Sequence, residues 1–470
     1  MGAFIFIFSI FLIFLREERK YMPKVRAKVD VFSTPIPKAL LKLAWPIIIT
    51  NLTQTLYNVV DAFWLGKLGK VKFGAPTVSF PIIFTFMSLA NGLSSAGQAL
   101  VAQYVGAGQK RVAEKSAMQV IVVGTFLSIL LGIFGFYTAG AMLNLLGIGE
   151  PIAPYAESYL KIIFLGLPLT FLMIITQAIA RGWGDTVFAM HVSMFSMFVN
   201  IILDPFMIFG IGFPRLEVNG AALATVIARL LAVVYSLYVL FKGSIGFKIH
   251  VSDIKPDMLF VKKILSIGIP GAVGQAITSS GFAVIMGIIS RFGPAVVSAY
   301  GVGQRITSML TTIGFAISNG VTTMVGQFLG AGDEKKVDES VRWGFIETFA
   351  IVGTLAVFLF LFADKVTQFF INDPEVIELG KIFFHLIAFS VPLFAMVSIV
   401  MGAFTGAGKT LYVAIINVTR LWGIRVPLVT FFANLYGFKG VFYAMAISNG
   451  LALLLGYTML KLIRWKKRVI

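Results

Sequence analysis

The chain repeats itself at an offset of 224 residues: Val101-Ala-Gln-Tyr-Val-Gly-Ala-Gly108 returns as Val325-Gly-Gln-Phe-Leu-Gly-Ala-Gly332. Pro46 pairs with Pro270, Gly69 with Gly293 and Pro168 with Pro392, and the loop Gly182-Trp-Gly-Asp-Thr186 pairs with Gly406-Ala-Gly-Lys-Thr410. Both copies lie in strongly apolar sequence. Of all residues 58% are hydrophobic and only 13% are charged, where a soluble domain carries roughly a quarter. A large soluble protein is thereby excluded. A bundle duplicated within a membrane points to a transporter with a substrate path between its halves.

Apolar stretches of about 20 residues, the length that crosses a bilayer, recur near 41–66, 75–101, 117–142, 155–180, 187–211 and 219–241. The second half supplies 262–289, 296–325, 342–363, 376–404, 411–435 and 438–460. The expected fold is an all-α membrane protein with twelve transmembrane helices in two pseudo-symmetric six-helix bundles around a central cavity. The expected organisation is an N-terminal cytoplasmic or interfacial segment 1–35, a first lobe 36–241, a cytoplasmic linker 242–261, a second lobe 262–462 and a basic tail 463–470. A cavity formed within one chain makes a monomer the expected state.

Net charge is +18, but its placement speaks for lipid headgroups and against nucleic acid. With both termini and the even-numbered loops inside, most of the 39 Lys and Arg fall on the inner side, as the positive-inside rule requires. Lys67, Lys70 and Lys72 go against it. This places the protein in the cell membrane with both termini cytoplasmic. There is no cysteine, which excludes disulfides, thiolate catalysis and Cys-based metal sites. The apolar run 3–15 has no basic segment before it and no small-residue cleavage site after it, unlike a signal peptide; Met22 is an alternative start.

Pro46 and Pro270 lie inside the first span of each half, where a missing N–H favours a kink. Pro46 is the candidate hinge. The Gly-Ala-Gly turns at 106–108 and 330–332 end long helices, a structural role for glycine. Gly406-Ala-Gly-Lys-Thr410 lacks the spacing of a phosphate-binding loop, so no ATP-driven engine is visible. The polar stretch 242–263 reads as a linker that lets the halves move as bodies.

Acids at membrane depth are costly and therefore functional candidates. Gln54, Tyr57, Asn58 and Asp61 recur at three and four residues and share a helix face. Asn200 and Asp204 are four apart on another span, and Thr225 on the next completes a cluster of oxygens. Asp61, Asp204, Asn200, Thr225 and Tyr57 are the candidate cation-coupling site, and Gln54, Asn58, Asp61, Asn200 and Asp204 are expected to face the substrate cavity. A desolvated carboxylate takes up and releases protons near neutral pH, and the same oxygens suit a hard monovalent cation. H⁺ and Na⁺, the latter held by Asp61, Asn200, Asp204 and Thr225, both stay open. The positions 224 after the two acids are Ile285 and Leu428, so coupling is expected in the first half alone. Glu347, the mid-helix acid of the second half, is expected near Arg342 or Lys335. Arg229, Arg305, Arg420 and Arg425 fall within spans. His191 and His385 lack a third metal-ligand partner, and no cofactor or metal centre is expected. Abundant Met and Phe (18 and 45) offer an adaptable surface for bulky organic cations.

Trp45-Pro46, Gln54-x-x-Tyr57-x-x-x-Asp61, Gln103-Tyr-Val-Gly-Ala-Gly108, Arg181-Gly-Trp-Gly-Asp-Thr186, Asn200-x-x-x-Asp204-Pro205 and Gly220-Ala-Ala-Leu-Ala-Thr225 together resemble the multidrug and toxic compound extrusion (MATE) family over about residues 35–460. The resemblance implies two six-helix lobes and export by alternating access coupled to H⁺ or Na⁺. Asp61 and Asp204 resemble the first-lobe acid pair of the archaeal and DinF-like branch. The second-lobe acids of the NorM branch are missing from spans 7, 8 and 10. The family's bending of helix 1 on protonation maps to Pro46. The function expected is therefore cation-coupled efflux of cationic amphiphilic compounds, with no enzymatic step. Three alternatives remain. A flippase for lipid-linked oligosaccharides would use Arg420 and Arg425 for pyrophosphate. An intramembrane aspartyl protease would use Asp185. A passive channel would need no coupling.

Overall fold

The computed structural model describes residues 28–212 and 214–470; the run 3–15 and Met22 lie outside them. Among the described residues the secondary structure is helical throughout. The first half holds α1 (Ile36–Gly66), α2 (Lys70–Gly106), α3 (Lys110–Leu145), α4 (Ala153–Leu165), α5 (Leu167–Trp183), α6 (Thr186–Phe209) and α7 (Glu217–Lys242). The second holds α8 (Met258–Ile289), α9 (Pro294–Ala331), α10 (Glu334–Leu361), α11 (Ala363–Phe370), α12 (Pro374–Ile387), α13 (Val391–Gly406), α14 (Thr410–Val418) and α15 (Val426–Leu462). Asp185, Asp257, Asp333 and Asp373 cap the helices that follow them by accepting backbone N–H groups, which satisfies donors a helix start leaves open.

The twelve apolar stretches fall on these helices, with 155–180, 376–404 and 411–435 each divided over two of them. By length and apolarity alone, eight helices among the described residues are able to cross a membrane, nine with the bent pair α4–α5 counted as one span. That pair turns by 50° at Gly166. The expected twelve is reached only by adding α1 and α9, whose polar residues dilute their apolarity, and by dividing Thr410–Leu462. The division is physical: Gly437 breaks α15 with φ 60°, a conformation open to glycine. It falls in the gap left between the stretches 411–435 and 438–460.

The two halves interlock at the end where the termini lie. Ile36, Ala39, Leu40, Leu43 and Ala44, at the start of α1, pack into a core made of second-half residues such as Val321, Phe328 and Phe404. Phe260, Ile264 and Ile267, at the start of α8, pack into the first-half core with Leu93, Leu100 and Trp183. Pro46 and Pro270 follow directly, so each proline marks the place where its helix leaves the opposite half's core. At Pro46 the missing N–H leaves the Lys42 carbonyl without its helical donor, and the Thr50 hydroxyl donates to the Pro46 carbonyl at 2.9 Å.

The linker gains a fixed seat, and the expectation for Glu347 changes. The linker is strapped to α3: Gln119 donates to the carbonyls of Asp253 (2.6 Å) and Lys255 (2.8 Å) and accepts from the Asp257 N–H at 2.8 Å. Arg111 pairs with Asp253 and Lys115 with Asp257. These contacts fasten the linker to the first half. Glu347 is buried, and among the described residues neither carboxylate oxygen has a partner, Arg342 and Lys335 included. The segment after Leu462 is also packed: Trp465 is buried against Phe404.

Candidate ion and substrate site

α1, α6 and α7 meet in the first half, and their polar faces converge. Asn200 and Asp204, one turn apart on α6, are both buried. Hydrogen bonding sets the Asn200 amide. Its nitrogen donates to Asp204 Oδ2 and to the Tyr57 hydroxyl, each at 3.1 Å, while its oxygen accepts from the Thr225 N–H at 3.0 Å and hydroxyl at 3.3 Å. One side chain thus ties α1, α6 and α7 together, and an apolar bundle cannot leave those groups unpaired cheaply. Asp61 is half-buried on α1. It lies within electrostatic reach of Asp204 and Tyr57 and makes no direct bond to either. Two carboxylates that feel each other in a desolvated site favour holding one cation between them.

A cavity of about 210 Å³ adjoins this cluster. Tyr57, Asn200 and Thr225 belong both to the cluster and to the cavity wall, with Gln54 beside them. Asp61 and Asp204 do not line it. Asn58, expected to face it, bonds to Gln54 at 3.0 Å instead, and both are exposed. The apolar wall is made by Met87, Met173, Met197 and Ile174. Among the described residues no phenylalanine lines this cavity, and thioethers provide its adaptable surface.

Two residues of this region went unassigned in the sequence. Arg229 lines the cavity and donates to the Thr170 hydroxyl at 2.6 Å. Tyr159, on α4, lies within electrostatic reach of Asp61, Asp204 and Arg229. An arginine inside a span was a signal available for the first. A tyrosine in an apolar helix gave none for the second. Asp185, the residue a protease would need, accepts the Phe188 N–H at 2.9 Å as the cap of α6. No group of three or more metal-ligating side chains occurs among the described residues.

The repeated motif builds the seam between the halves. Gln103 donates to the Gly406 carbonyl at 2.9 Å, and its counterpart Gln327 donates to the Gly182 carbonyl at 3.0 Å. Each glutamine reaches the repeat-equivalent loop of the other half, so the two bonds are related by the repeat. Gly106 and Gly330 let α2 and α9 touch: a Cβ on Gly106 would stand 1.8 Å from the Gln327 carbonyl oxygen, and one on Gly330 2.0 Å from that of Gln103. Terminal segments brace this end. The Val469 N–H donates to Gln103 Oε1 at 3.0 Å, and the Val29 N–H to the Gly184 carbonyl at 2.9 Å. The halves are therefore closed on the side of the termini.

A family model described as MatE matches residues 46–206 and again 270–431, two segments that begin at the paired prolines. The probable multidrug resistance protein YpnP of Bacillus subtilis is 28% identical over 91% of this chain and 96% of its own length. The probable multidrug resistance protein NorM of Thermotoga maritima is 28% identical over 87% of each. A Shewanella oneidensis relative, 27% identical over 89% of this chain and 93% of its own, is named an FAD transporter. Among solved structures, an outward-facing multidrug resistance MATE family transporter of the MOP superfamily superposes with TM-score 0.86 at 23% identity, over 92% of this chain and 96% of that one. The bent form of the Vibrio cholerae MATE transporter VcmN gives 0.85 at 21% identity, over 91% and 96%. At these identities the two structures speak for the fold.

Proposed function

The chain belongs to the MatE family and is a multidrug-efflux type of membrane transporter, not an enzyme; from that premise we propose that it is an antiporter in the cell membrane that exports cationic amphiphiles in exchange for H⁺ or Na⁺. The observation that carries this reading is the wall shared by two sites. Tyr57, Asn200 and Thr225 bound the cavity, and Asn200, bonded to the other two, also donates to Asp204. A cation taken up at Asp61 and Asp204 changes what Asn200 and Tyr57 present to the cavity. Coupling of two ligands requires that each favour a different state, and a shared wall supplies the means.

Asn200 serves either ion. With its amide nitrogen towards Asp204 it donates to the carboxylate, and with the amide turned over its oxygen faces Asp204 while the nitrogen donates to the Thr225 hydroxyl at 3.3 Å. The first arrangement suits a protonation cycle and the second offers an oxygen to Na⁺, so the coupling ion of this reading stays H⁺ or Na⁺.

The cavity of about 210 Å³ is smaller than the ~300 Å³ at which drug-sized pockets begin. In this reading the state closed at the terminal end is the one from which drug has left, and the drug-loaded state is wider. Pro46, at the point where α1 leaves the second-half core, is the proposed hinge.

The test uses ethidium uptake into inverted vesicles, the direction of export, under an imposed gradient. Wild-type protein concentrates ethidium, and Asp61→Asn and Asp204→Asn, inserted at wild-type levels, lose gradient-driven accumulation, as expected for removal of an ionisable group at membrane depth. Sustained export by either folded variant removes that acid from the coupling site.

A further inference from the structure

The second half holds a cluster of opposite sign that the coupling site does not use. Between α14 and α15 the chain forms a seven-residue π-helix, Thr419–Arg425, and such segments gather at functional sites. It carries Arg420 and Arg425, which are 4% and 5% exposed. The two guanidinium groups lie within electrostatic reach of one another and flank one ring: their Cζ atoms stand 4.7 and 5.9 Å from the centroid of Phe394. Among the described residues neither has a carboxylate within ion-pair distance.

The two arginines are held differently. Arg425 is anchored: Nε donates to the Ser448 hydroxyl at 2.8 Å and Nη2 to Asn449 Oδ1, while Asn449 in turn donates to the Ser390 hydroxyl at 3.0 Å. Arg420 is not. Its Nε and Nη1 are buried and have no acceptor. An unpaired charge with unspent donors, inside a bundle and beside a like charge, is strongly unfavourable. Packing against Phe394 offsets part of this and supplies no acceptor. What the cluster lacks is an oxyanion.

We propose that Arg420, backed by Arg425, binds the carboxylate or phosphate of an amphiphile whose apolar body lies against Phe394. Guanidinium groups suit planar and tetrahedral oxyanions alike, so the shared chemistry is the anionic oxygen. The inference goes beyond the proposed export of cations and needs from that reading only that a solute reaches the second half.

The test reads binding, so its failure is distinct from a failure of coupled export. Purified protein in phosphatidylcholine nanodiscs is titrated with dansylglycine and with its methyl ester, which differ only in the carboxylate. The acid is expected to bind ~10-fold tighter than the ester. Arg420→Gln is expected to lose that preference while still binding the ester, which shows that it is folded, and Arg420→Lys to keep part of it. In wild-type protein, which needs no variant, inorganic phosphate displaces the acid and not the ester. Equal binding of acid and ester by the wild type, or an acid preference unchanged in Arg420→Gln, overturns the proposal. Nanodiscs containing phosphatidylglycerol assign the source, and either result supports the oxyanion site. Weakened acid binding there identifies a lipid headgroup as the occupant, and unchanged binding a soluble amphiphile.

Discussion

Gly106→Ala places a methyl group where the structure has no room. The new Cβ would stand 1.8 Å from the Gln327 carbonyl oxygen, 2.5 Å from its carbon and 2.7 Å from its Cα. These are backbone atoms of α9, so no rotamer change relieves the clash, and α2 and α9 have to part. Overpacking of this kind costs roughly 1–3 kcal/mol. The cost falls only on the state in which the seam is closed, because a separated seam has no such contact. The open-to-closed ratio therefore rises by ~5- to 150-fold. Because the chain has no cysteine, Thr323→Cys introduces a single thiol, at a buried seam position whose hydroxyl donates to the Arg181 carbonyl at 2.9 Å. Reaction with a membrane-impermeant maleimide from the terminal side follows the open fraction while that fraction is small. The labelling rate should rise by at least ~5-fold in Gly106→Ala, and Gly330→Ala should act alike through the symmetric contact. Gly301→Ala, where no atom lies within 4 Å, is the control and should change nothing. A Gly106→Ala protein labelled as slowly as its parent would refute the argument that this contact closes the halves.

Three further outcomes follow from the same geometry. Asn200→Ala removes the donor to Asp204 and Tyr57 and should lower gradient-driven ethidium export by ~10-fold or more, as loss of a buried bond to a charged group does; export at the wild-type rate would show that Asn200 only fills space. Gln119→Leu should free the strap over 251–257, read as faster amide hydrogen exchange there, with helix content unchanged. The same strap should loosen in acid. The Lys115 hydrogen bond and then the Leu259 N–H hold the Asp257 carboxyl below the usual carboxylate range. A depressed folded value means that its contribution is complete above the ordinary value, ~3.9, and is lost as pH falls through the lowered one. Exchange at 251–257 should therefore be flat from neutral pH down to ~4, after correction for intrinsic rates, and rise only below it; a rise near pH 6 would contradict the assignment.

Helices, their order and the break at Gly437 were legible because apolar length and glycine act locally. The 224-residue offset showed which positions are equivalent, yet equivalence does not say what touches what. Gln103 and Gln327 were visible as partners in a repeat, whereas their reach into Gly406 and Gly182 of the opposite half depends on how the bundles face each other. The exchange of helix starts at Pro46 and Pro270 was hidden for the same reason. In the site, the spacing of Tyr57, Asn200 and Asp204 marked one polar face per helix, and the structure brings those faces together with Thr225. Tyr159 and Arg229 carry no periodic signal. The strap by Gln119 was invisible because a side chain that bonds to backbone leaves no pattern in its target. Glu347 was expected opposite a base by charge matching along the chain, but its buried position on α10 leaves it away from both candidates.

The central claim is exchange, and reciprocity tests it most directly. Proteoliposomes containing the purified protein are prepared with no ion gradient, and ethidium is added on one side only. The account predicts that ethidium entry drives one cation, H⁺ or Na⁺, outward against its own rising gradient, and that Asp61→Asn abolishes that movement. Ethidium that equilibrates across the membrane with both ions still would contradict coupled antiport and leave a passive path in its place.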